Sequence, residues 1–201
     1  MYIDPYGTAP EWWQWAASGV MFVGGVVCIA SGLCPTLGGA LICAGVNSII
    51  GSYTAEAAGG SSTAGWIGGG ITGLICGAGA GIAGDILFAA TNIEGIACIG
   101  QAALGYGIAF TTGTAGSVIG QCVTSAIDGT ALNGKEVLIS ALTAGTINCF
   151  AAMGAGMGNA LKDLPNVMTT SKVLANALNA VCGVTTEAIC DTLSVVISFF
   201  Q

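Results

Sequence analysis

Ala64-Gly65-Trp66-Ile67-Gly68-Gly69-Gly70-Ile71-Thr72-Gly73-Leu74-Ile75-Cys76-Gly77-Ala78-Gly79-Ala80-Gly81 is the stretch on which the fold turns. Within it Gly65, Gly69, Gly73, Gly77 and Gly81 fall at successive four-residue steps and form overlapping G-x-x-x-G units. Four-residue steps lie along one face of an α-helix, whereas a half-buried strand alternates in twos. Each glycine in a helix interior costs about 1 kcal/mol relative to Ala. A row of five is therefore tolerable only where it lets a second helix backbone approach closely, as small-xxx-small faces do in membrane bundles. Gly116/Gly120 and Gly154/Gly158 repeat the spacing further along. An alanine- and glycine-rich soluble bundle can use the same device, and among 34 glycines some pairs arise by chance; five in register do so far less easily.

Outward from this row the chain stays uncharged for long distances. Charged residues make up 6 % of the 201 positions and apolar ones 54 %, against about 25 % charged in ordinary globular domains. Disorder needs the opposite balance. The cations are Lys135, Lys162 and Lys172, with no His and no Arg, so nothing neutralises phosphates and nucleic acid is excluded as a partner. Met1 to Gly7 carry an acid and no base ahead of the first apolar run, unlike a secretory signal peptide.

Prolines and charges punctuate a series of helices. The first is expected to open at Pro10-Glu11 and run from Trp12 to Ser31. After the Gly32-Leu33-Cys34-Pro35 break, a second, from Thr36 to about Ala55, folds back as an αα-hairpin. Gly59-Gly60-Ser61-Ser62-Thr63 is a loop with capping hydroxyls, and a third helix runs from Ala64 to about Ala90. Gly95 to Ile127 contains no charge and exceeds one ordinary helix, with Thr111-Thr112-Gly113 as the candidate break. A loop at Asp128 to Gly134 leads to a helix from Lys135 to Leu161, and two shorter ones, about Ser171 to Val181 and Thr185 to Phe200, close the chain. The expected fold is all-α: a compact bundle of about 6–8 hydrophobic, glycine-zipper-packed helices arranged as αα-hairpins. Residues 11–201 form a single domain with sub-units 11–56, 64–128 and 134–201, preceded by a short segment, 1–10.

Catalytic patterns are nearly absent. Gly79-Ala80-Gly81-Ile82-Ala83-Gly84 matches G-x-G-x-x-G in form, but a dinucleotide site needs a preceding strand and a later acid, and the glycine row demands helix there. A Cys or Ser nucleophile has no His as base. Asp85 with Glu94, and Glu187 with Asp191, read more simply as wet ends or exposed faces of helices. The nine cysteines are odd in number, never C-x-x-C, and spread through apolar runs, so they read as buried thiols rather than disulfides or a metal site. No catalytic residue, cofactor or metal is expected. Trp12, Trp13 and Trp15 suit a membrane-interface belt as well as the edge of a core; the core is the preferred reading.

Asp4-Pro5-Tyr6-Gly7-Thr8-Ala9-Pro10-Glu11-Trp12 resembles the Asp-Pro-x-Gly boundary that closes the core of Rhs/YD-repeat polymorphic toxins. Gly51-Ser52-Tyr53 and Ala57 to Gly69 look like the hydrophobic region that follows that boundary in Gram-positive members. The resemblance implies an exported effector made inside a parent YD-repeat cage, with an immunity-type protein as a further partner. No cage or nuclease domain accompanies the motif here, so the family's self-cleavage residues are not carried over. Two readings follow. One is a non-enzymatic membrane-active region, pore-forming or translocating, that inserts glycine-packed hairpins into lipid and is compatible with a homo-oligomer; the uncharged runs meet the ~20 residues a bilayer requires. The other is a soluble packing or linker module with no membrane activity.

Overall fold

The Glu11 carbonyl accepts hydrogen bonds from the backbone N–H groups of Gln14 and Trp15, and the first helix begins there. In a computed structural model describing residues 10–31 and 35–162, with side chains to Gly156, five α-helices follow one another. They are α1 (Trp12–Ser31), α2 (Pro35–Ala57), α3 (Ser62–Ala90), α4 (Ile96–Asp128) and α5 (Gly134–Lys162). Among the described residues there is no strand, and the all-helical expectation holds. The two short closing helices, Lys172 and the Asp4–Gly7 motif lie outside the described residues.

Local chemistry sets the ends of the helices. The Ser61 hydroxyl accepts from the Ala64 N–H and caps α3. Gly59 takes a φ of 80° in the turn before it, a left-handed conformation that glycine adopts without a Cβ penalty. Gly129 closes α4 in the αL conformation, its N–H returned to the Ser125 carbonyl. At the start of α5 the Asn133 side chain accepts from Lys135 N–H and donates to Glu136, tying the first turn down from both sides.

One expected boundary is absent. Thr111-Thr112-Gly113 does not break the long uncharged stretch, which is a single 33-residue helix. The Thr111 and Thr112 hydroxyls donate to the Gly107 and Ile108 carbonyls one turn back, so neither competes with the helix for backbone partners. Five helices thus cover the described residues, and the two closing helices counted in the expected 6–8 lie outside them.

The helices run alternately up and down. The N-terminus of α1 and the α2–α3 and α4–α5 connections share one end, called here the Ser61 end; the α1–α2 and α3–α4 connections share the other. Helix α3 is central and packs against α2, α4 and α5, while α1 lies against α2. A polar latch joins α1 to the start of α3: buried Gln14 accepts from the Ser62 hydroxyl at 3.0 Å, and Trp66 Nε1 donates to Ser18 at 3.0 Å. Charges sit near the helix ends. Glu11, Glu56, Asp128, Lys135 and Glu136 belong to the Ser61 end, and Asp85, Glu94 and Lys162 to the other.

Candidate functional site

The predicted row of glycines on α3 faces α2 along its whole length. A methyl group in place of the Gly73 α-hydrogen would stand 2.5 Å from the Cys43 carbonyl oxygen; at Gly77 it would stand 2.8 Å from Ala40 Cα, and at Gly81 2.7 Å from Thr36 Cγ2. At Gly65 it would strike the Gly51 carbonyl, and at Gly69 that of Asn47. Partner numbers fall as glycine numbers rise, which is the register of two antiparallel helices at backbone contact.

A second face of α3 meets α4. Gly120 and Gly68 oppose each other, each with the other's carbonyl oxygen 2.7 Å from where a Cβ would be. Gly116 lies against Cys76 Sγ at 2.9 Å on the same measure. Thr72 donates to the Gly116 carbonyl across this contact at 3.1 Å. Further along, Gly84 meets Ala152 and Gly156 of α5, and Gly113 of α4 meets Gly145 and Asn148 of α5. Gly154 lies half-buried on α5, with Gly158 one turn beyond. Gly51 and Gly68, which receive the predicted rows, the Gly113–Gly145 pair between α4 and α5, and the Gly25–Gly38 pair between α1 and α2 carry no regular spacing in the sequence.

Large apolar side chains point the other way. The buried apolar residues are mainly alanine, among them Ala44, Ala64, Ala83, Ala109 and Ala152, with Ile29, Ile42 and Ile147 the bulkiest. The largest fully buried side chains are Gln14, Asn148, Ser48 and Ser52. Val20, Val23 and Val27 of α1, Ile96, Ile99, Leu104 and Phe110 of α4, and Leu138, Leu142 and Phe150 of α5 are exposed. Water-soluble domains bury Leu, Ile, Val and Phe first, and exposed apolar patches of this extent mark contact with something other than water.

The tryptophans divide. Trp13 packs edge-on against Trp66 of α3, ring centroids 5.3 Å apart, whereas Trp12 is 79 % and Trp15 51 % exposed. The core reading is thus corrected for Trp12 and Trp15: on the first turn of a peripheral helix, their positions turn away from α2 and α3. Cys43 and Cys76 are buried, but Cys122 is exposed, so the reading of every cysteine as a buried thiol does not hold.

A polar-edged crevice also interrupts the small-residue interior. Its volume is about 700 Å³, and it lies toward the Ser61 end, over Gly65, Gly68, Gly69 and Thr72 of α3 and between α2 on one side and α4 and α5 on the other. Asn47 and Thr54, Ser117, Gln121 and Thr124, and Ser140 and Thr143 line its walls, with Asp128 at the end of α4 and Glu136 in the first turn of α5. Asp128 accepts from the Ser61 N–H through both carboxylate oxygens, at 3.1 and 3.2 Å, joining the α2–α3 turn to the end of α4. Ser117 and Ser140 are 3.1 Å apart across α4 and α5, and Gln121 donates to Ser117. No linear motif announces this crevice, since its hydroxyl and amide side chains are divided among four helices.

Among the described residues no group of three or more His, Cys, Asp or Glu side chains gathers where a metal could sit. The segments Trp12–Ser31, Thr36–Ala57, Ser62–Ala90, Ile96–Asp128 and Gly134–Gly156 are each long and apolar enough to cross a membrane. Fold and surface together define an all-α bundle of potential membrane-spanning helices joined through small residues. No protein-family model, curated protein or solved structure matches the chain.

Proposed function

We propose that this protein is a non-enzymatic integral membrane bundle whose described helices cross a lipid bilayer side by side. The observation that carries the reading is the inverted distribution of side chains: Gly, Ala, Ser and Asn inside, Val, Ile, Leu and Phe outside, and charges near the helix ends. Lipid tails are as apolar as leucine, so helices in a bilayer gain nothing by hiding large apolar groups from their surroundings. They associate through close backbone packing and interhelical hydrogen bonds. Both occur here, the first along Gly65–Gly81 and the second at Thr72, Trp66 and Asn148. In water the same surface would expose apolar area on nearly every helix at a cost of about 25 cal/mol per Å².

Within that reading we propose the membrane-active role of an Rhs-type effector, supported by the Asp4-Pro5-Tyr6-Gly7 motif and the glycine-rich texture that follows it. The soluble linker alternative gains no support from a surface of this kind. The test is detergent-free mixing with lipid vesicles, flotation on a density gradient, and release of an entrapped dye. Flotation with helical circular dichroism supports membrane residence, and dye release supports the effector role. A monodisperse protein that stays at the bottom of the gradient removes both.

A further inference from the structure

We draw no further inference here: the strongest candidate, the crevice over Gly65, Gly68, Gly69 and Thr72 of α3 between α2 and α5, carries nothing because nothing in the structure shows what covers it.

Discussion

Gly73 of α3 and Cys43 of α2 touch backbone to backbone: a Cβ on Gly73 would stand 2.5 Å from the Cys43 carbonyl oxygen, 2.6 Å from its carbon and 2.8 Å from Ala44 Cα. All three atoms belong to the main chain of α2, so no rotamer change relieves the collision. The two helices are held at this distance by the absence of a side chain.

Gly73→Ala should therefore destabilise the bundle by about 1–3 kcal/mol, the usual cost of overpacking. Gly107→Ala should do the reverse. A Cβ there meets nothing within 4 Å, and the gain in helix propensity is about 1 kcal/mol. Unfolding midpoints in a detergent denaturation series would show opposite shifts. Equal shifts would mean that glycine content, rather than helix contact, sets stability.

Asn148 is buried in the middle of α5 and donates to the Ala109 carbonyl at 2.9 Å and to Thr112 Oγ1 at 3.0 Å, both on α4. Interhelical hydrogen bonds inside membrane bundles average about 0.6 kcal/mol and reach about 1.7, so Asn148→Ala should lower stability by an amount in that range. Thr146→Ala is the control. Its hydroxyl bonds only its own helix at Leu142 and is exposed, so the midpoint should stay where it is.

The exposed tryptophans give a depth marker. Replacing Trp13 and Trp66 by Phe leaves Trp12 and Trp15 as the remaining fluorophores among 4 tryptophans, both on the first turn of α1 at the Ser61 end. Indole rings at a helix end favour the headgroup level. Lipids brominated near the headgroup should quench their emission more than lipids brominated at the chain terminus. The opposite order would place the start of α1 in the bilayer centre.

Much of this architecture is legible in the sequence because helix ends are chemical. Pro10-Glu11, Ser61 and Asn133-Gly134 mark boundaries that the structure keeps to within a few residues. The four-residue row from Gly65 to Gly81 is legible because a single helix carries it whole. Its counterpart is less so: α2 meets that row with Gly51, Asn47, Cys43, Ala40 and Thr36, joined by nothing but modest size. Thr111-Thr112-Gly113 misleads because hydroxyls that mark loops in water turn inward to their own helix when Gly107 and Ile108 offer carbonyls. The crevice is invisible along the chain, since its walls come from four helices and only their antiparallel register brings Asn47, Thr72, Ser117 and Thr143 to one level.

The central claim is that the large apolar side chains on the outside of the bundle face lipid, and Val23→Lys tests it most directly. Val23 is 60 % exposed near the middle of α1. The measurement is the fraction of the variant recovered in carbonate-washed membranes, against wild type and against Trp12→Lys at the helix end. If Val23 faces hydrocarbon, a central lysine costs about 2.5–3.5 kcal/mol, and Val23→Lys should fall out of the membrane fraction while Trp12→Lys remains. If Val23 faces water, the substitution is an ordinary surface change within about 0.5 kcal/mol; recovery of Val23→Lys as a folded, detergent-free protein would contradict the account.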